Sequence, residues 1–218
     1  MNKKWIVLLA FFLLAVFSAQ AQGFGLRGGF DFQNINGKDI DGDNLELGLS
    51  PRFNAGVVFE IAVAPDFFFQ PGLLFSTKGA KSKEFLGPNT SIDFNLGYIE
   101  LPLSLLYKPV LGNGRFLLGF GPYLGYGVSG KVKRTLNNVS VEDDVDWTKE
   151  YSGIALNKFK PFDFGANLFF GYELAGGLSF QINTQLGLAE INAENTSLSN
   201  DKSSWKNTSY GLSIGYRF

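Results

Sequence analysis

The sequence predicts an all-β chain, an eight-stranded antiparallel transmembrane β-barrel of up-and-down topology behind an N-terminal signal peptide. Three observations carry this reading. Residues 210–218 alternate without a break, with Tyr210, Leu212, Ile214, Tyr216 and Phe218 on one face and Gly211, Ser213, Gly215 and Arg217 on the other, as strand side chains do with period two. Seven earlier stretches repeat the pattern between turn residues. The connections between stretches alternate short and long, as they do in a membrane barrel.

The elements follow in order. Lys3 and Lys4 precede an unbroken apolar run, Trp5 to Phe17, and then Ala19-Gln20-Ala21. This is a basic region, an apolar region and a small-x-small cleavage site, so residues 1–21 are expected to leave as a signal peptide and 22–218 to form the barrel. The run is too short to cross a membrane core of about 30 Å, which needs roughly 20 residues of helix. No Cys follows the cleavage site, which excludes a lipid anchor. Strands are expected over 23–33, 51–62, 67–78, 92–108, 115–128, 159–173, 177–189 and 205–218. Short turns lie at 63–66, 109–114 and 174–177, and long polar loops at 34–50, 79–91, 129–158 and 190–204. A strand of about 12 residues tilted about 45° climbs roughly 28 Å, enough for the apolar band.

Most strands separate cleanly into faces. Phe53, Ala55, Val57, Phe59 and Ile61 oppose Arg52, Asn54, Gly56 and Glu60; Phe180, Ile182 and Leu186 oppose Ser179, Gln181, Asn183 and Gln185. Strand four breaks phase: Phe94, Leu96 and Tyr98 share one parity, and Ile99, Leu101, Leu103 and Leu105 the other. A β-bulge near Tyr98–Ile99 is expected to restore it. Pro71, Pro102 and Pro122 are expected to interrupt local pairing, because proline lacks a ladder donor.

A secreted, lipocalin-like barrel would turn the apolar face inward. The polar face decides against it. It carries Arg27, Asp31, Arg52, Glu60, Glu100, Arg115, Asp163, Glu173 and Arg217, whereas the remaining arginine, Arg134, and most lysines fall in loops. Arginine suits buried, multiply bonded pairing with carboxylates better than lysine does. An eight-stranded barrel has an interior that side chains can fill, so these nine residues are expected to form a plugged lumen network. Tyr107, Tyr172, Tyr216 and Phe218 at the short-turn end, and Tyr126, Trp205 and Tyr210 at the loop end, are expected to form interfacial girdles.

Several segments resemble the Bacteroidetes outer-membrane β-barrel family known as PorT-like. They are Gly25-Leu-Arg-Gly-Gly29, Arg52-Phe-Asn-Ala-Gly56, the run from Phe69 to Gly79, Tyr98-Ile-Glu-Leu-Pro-Leu103, Gly119-Phe-Gly-Pro-Tyr-Leu-Gly125, Phe162-Asp-Phe-Gly165 and the closing Gly-Tyr-Arg-Phe218. The resemblance implies an outer-membrane location and no enzymatic activity. It also implies that the terminal aromatics, Tyr216 and Phe218, are read by the barrel-assembly machinery. Some relatives are associated with protein secretion or gliding.

Composition narrows the chemistry. The chain has no His and no Cys, so nucleophile–His constellations cannot form and zinc and most transition metals lose their usual ligands. No cofactor is expected. Without residues 1–21 the net charge is about −3, which gives no electrostatic case for nucleic acid. Asp39, Asp41 and Asp43 have the spacing that opens a calcium loop, but Asn44 stands where the turn glycine belongs and Ser50 where the bidentate Glu belongs. A solvated acidic loop is expected instead. Lys131-Val-Lys-Arg134 and Glu142-Asp-Asp-Val-Asp146 read as charge balance within one loop, or as contacts to lipopolysaccharide phosphates or a protein. The expected protein is non-enzymatic, structural, adhesive or partner-docking, with both termini periplasmic. Its expected partners are outer-membrane lipid and lipopolysaccharide, the assembly machinery and an unidentified protein. The alternative is a narrow pore, or an accessory barrel of a secretion or gliding system.

Overall fold

The structure is a computed structural model that describes residues 23–84, 89–198 and 200–218. The signal peptide expected over 1–21 lies outside the described residues. Eight long strands carry the architecture: β1 (Gly23–Lys38), β2 (Ser50–Ala64), β3 (Phe67–Ser82), β4 (Thr90–Tyr107), β5 (Gly114–Leu136), β6 (Phe162–Glu173), β7 (Leu178–Gly187) and β8 (Ser204–Arg217). Each pairs antiparallel with the next in sequence, and β8 pairs with β1 from Gly25↔Arg217 to Lys38↔Ser204. The ring is therefore closed, and closure leaves its strands without open edges.

Period-two alternation sets what each face meets. Phe24, Leu26, Phe30 and Phe32 on β1, Phe164, Leu168 and Phe170 on β6, and Tyr210, Leu212, Ile214 and Tyr216 on β8 all point outward and stay exposed, Leu212 at 63%. Their neighbours Asp31, Gln33, Asp163, Ser209 and Ser213 point inward and are buried. An apolar outer face around a polar interior reverses the arrangement of a water-soluble barrel.

Several strands run further toward the long-loop end than the sequence pattern suggests. The stretch 129–158 is not a single loop. β5 continues to Leu136, turns through Asn137 and Asn138, and returns as the strand Val139–Asp144. Both turn residues have positive φ, 47° and 68°, the backbone of a type I′ hairpin. Arg134 accordingly sits in a strand.

Strand four does not break phase. Ile92, Phe94, Leu96, Tyr98 and Glu100 all point inward and are buried. The expected bulge exists on the neighbouring strand: Gly97 pairs with Ser129 and Tyr98 with Gly127, leaving Val128 as the extra residue of β5. The physical reason is an inversion of surroundings. Beyond the apolar band the outer face carries Asn95, Asp93, Lys131 and Lys133, while the interior is covered by loops, so there the apolar residues belong inside.

They form a cluster of Ile35, Ala80, Ile92, Phe94, Leu96, Tyr98, Val132, Phe159 and Ile191, with Leu45, Leu47, Val145, Trp147, Leu156 and Trp205 packed against it. Trp205 meets Phe94 at 5.5 Å between ring centroids, and Trp147 meets Tyr98 at 5.4 Å. Trp205 is thus part of an interior cap and not of a girdle, as its parity with the inward Asn207 and Ser209 requires. Short parallel pairings, Asp146–Trp147 with Lys158–Phe159 and Glu150–Tyr151 with Glu194–Asn195, tie the cap loops together. The prolines interrupt ladders without shifting them. Pairing of β3 with β4 skips from Pro71↔Leu103 to Leu74↔Glu100 and resumes in the same register.

Candidate functional site

The lumen holds the candidate residues in two charged storeys. At the short-turn end Lys108, one residue beyond β4, places its Nζ 2.8 Å from Glu60 Oε2 and 2.7 Å from Glu173 Oε2. Arg217 donates from Nη2 and Nε to Glu173 Oε1 at 2.9 and 3.1 Å, and Gln70 donates to Glu60 at 3.3 Å. In the storey above, Lys78 Nζ lies 3.0 Å from both Glu100 Oε2 and Asp163 Oδ2, with the Tyr123 ring centre 4.0 Å away. Asn207 donates to Asp163 at 2.9 Å and Gln185 to Glu100 at 2.5 Å. A buried carboxylate in a low-dielectric interior needs this density of donors, because an unpaired charge there is strongly unfavourable.

Arg27 lies between the storeys, its guanidinium 5.9 Å from the centre of the Phe169 ring. Asp31 accepts from Asn54 and Asn183 at 2.5 and 2.8 Å. Phe169 fits because the facing position is Gly119, where a Cβ would fall 2.1 Å from the ring. Small cavities of about 20 Å³ flank Arg27 on its two sides, each with room for about one water. The apolar cap closes the lumen above.

The structure therefore brings Glu60, Glu173 and Arg217 together, and Glu100 with Asp163, leaving Arg27 and Asp31 between them. Arg52 and Arg115 stand apart at opposite rims. Arg52 reaches Asp93 at 2.5 Å and the Phe94 carbonyl at 2.8 Å. Arg115 donates to the Lys108 carbonyl at 3.1 Å and lies 3.7 Å from Asp66. The central cations, Lys78 and Lys108, are residues that the preference for arginine passes over. Parity alone points to them: Lys78 shares a face with Gln70 and Ser76, and Lys108 with Glu100 and Ser104.

Tyr216 and Phe218 point outward, their rings 4.9 Å apart, and Phe218 stacks on Phe24 at 5.6 Å. In the acidic loop, Asp39 Oδ1 accepts the backbone N–H groups of Asp41, Gly42 and Asp43 at 2.9–3.0 Å, so this carboxylate closes its own turn. In the hairpin, Lys131 pairs with Glu142 at 3.0 Å and Arg134 pairs with Asp143. The hydrogen bond from Lys131 to Glu142 holds the ammonium pKa above its ordinary value.

A closed ring, apolar outside and packed with paired charges inside, defines an integral β-barrel membrane protein. The chain belongs to the outer membrane protein beta-barrel domain family, whose model matches residues 18–193. Among solved structures it is similar to Ail of Yersinia pestis in complex with the heparin analogue sucrose octasulfate, at 13% identity over 90% of this chain and 99% of that one, TM-score 0.43. Neisserial surface protein A matches at 11% identity over 89% and 97%, TM-score 0.44. OprG of Pseudomonas aeruginosa matches at 16% identity over 91% and 97%, TM-score 0.43. No curated protein matches.

Proposed function

We propose that this outer-membrane barrel works through its loop end, as a non-enzymatic structural, adhesive or docking protein, and does not conduct. The observation that carries the reading is the filling of the lumen: two ion-paired storeys under an apolar cap that the long loops build. Nothing in that arrangement supplies a nucleophile with its base, and its acids are committed to lysine, arginine and amide donors. An even number of strands puts both termini on the short-turn side, which in such barrels is the periplasmic one. On this reading residues 1–21 direct export, Tyr216 and Phe218 are the aromatics that the assembly machinery reads, and the outer apolar belt contacts outer-membrane lipid and lipopolysaccharide. The segments that resemble the Bacteroidetes PorT-like barrels support a surface barrel of that kind.

The test is single-channel recording on refolded protein whose folded state is verified by heat-modifiable gel mobility. No steady conductance is expected. A steady conductance abolished by loop-binding antibodies would replace this reading with the narrow pore or the accessory barrel of a secretion or gliding system.

A further inference from the structure

Above the apolar band the hairpin forms the margin of the sheet, with β5 paired to β4 as far as Thr90↔Leu136. Its returning strand, Val139–Asp144, pairs with β5 on one side, and among the described residues no strand pairs with the other side. Which backbone groups are open follows from the turn. In a two-residue hairpin the closing pair, here Leu136 and Val139, exchanges its hydrogen bonds, and alternate pairs follow. Val139, Val141 and Asp143 therefore bond to β5, while Ser140 and Glu142 turn N–H and C=O outward. One step on, the Asp144 carbonyl accepts from Asn157 Nδ2 at 2.8 Å, which shows the same direction. Ser140 and Glu142 are exposed, so their outward groups form a short open ladder.

An open ladder of alternating donors and acceptors is complementary to another strand, and added strands bind by this means. Charge narrows the kind of strand. Residues 139–146 contain Glu142, Asp143, Asp144 and Asp146 and no basic residue. The strand already paired to this one sets Lys131 opposite Asp144 and Lys133 opposite Glu142. A second copy of the same edge would bring acids against acids, which destabilises a pair of strands.

We propose that the free edge of Val139–Asp144 is a docking site for an extended basic segment of a partner polypeptide, added as a strand through Ser140 and Glu142. The proposal rests on the reading that the loop end is the working face, and it names the class of partner.

The probe is a labelled synthetic peptide with the sequence of residues 128–136, the basic strand that already pairs with the opposite edge of Val139–Asp144, titrated onto the barrel refolded in micelles. Binding is expected. Ser140→Pro and Glu142→Pro each remove one outward donor without touching the ladder to β5, and each is expected to weaken binding by roughly tenfold. Heat-modifiable mobility should stay unchanged in both, since the ring is untouched. A peptide with every Lys and Arg changed to Glu should not bind. Failure of the basic peptide to bind a correctly folded barrel overturns the proposal, as does binding by both proline variants that is as tight as the parent's. Disulfide-linked homodimers of a Ser140→Cys variant would also overturn it, by making a second copy the occupant. None of these results bears on conductance, which decides the broader reading separately.

Discussion

Lys78 is fully buried, and its ammonium is held between two carboxylates and the face of Tyr123. Removing that charge leaves Glu100 and Asp163 with their amide and hydroxyl donors but no cation. Lys78→Met should therefore lower the stability of the refolded barrel by about 3–5 kcal/mol in urea titration. Replacing all three, Lys78→Met with Glu100→Leu and Asp163→Leu, should recover most of the loss, because an apolar replacement leaves no stranded charge. Arg115→Gln should change stability by less than about 1 kcal/mol, since its partner Asp66 is also half-exposed at the rim. The lumen acids are legible in the sequence from parity alone. Lys78 and Lys108 share that parity, but a preference for arginine in buried ion pairs points away from them. In this narrow lumen a compact ammonium reaches two carboxylates at once, at 2.7–3.0 Å, as both lysines do.

At the scale of the strand, period two says which residues share a face but not what that face meets. Phe94, Leu96 and Tyr98 show the difference. They alternate like lipid-facing residues, yet they share parity with Glu100 and fill the cap. Val128 is an extra residue in β5, where the sequence shows only a run of small residues and no apolar mismatch. Deleting it should join Gly127 to Ser129 in the register that β4 already sets, so Val132 stays opposite Phe94 and inside the cap, with Lys131 and Lys133 still outside. The expected result is a digestion pattern of the hairpin and an unfolding midpoint close to the parent's. Faster proteolysis of the hairpin with a lower midpoint would mean that the bulge itself holds the upper half of β5 in place. The turn itself was hidden in the sequence by its setting, for Asn137-Asn138 lies within what reads as one long polar loop.

For the whole molecule, the ring was readable because strand count, turn length and a polar face rich in paired charge types all agreed. The packing of the loops was not readable, since it depends on contacts between distant segments. Trp205 on β8, Phe159 before β6 and Phe94 on β4 meet only once the ring has formed. Phe159→Ala should remove the centre of this cluster, with a local loss of about 3–5 kcal/mol. The prediction is rapid cleavage between 145 and 161 by added protease while the heat-modifiable barrel persists. Simultaneous loss of both would mean that cap and ring unfold as one unit.

The pairing of Arg217 has a consequence for the order of events. Glu60 and Glu173 share a single ammonium, Lys108, until β8 arrives, and the second positive charge comes with β8. Addition of β8 is thus also the step at which this end of the interior gains its second positive charge. A sheet lacking β8 would hold an unmatched carboxylate toward its concave side, so lipid favours the complete ring over it twice, once for the open edge and once for the surplus charge.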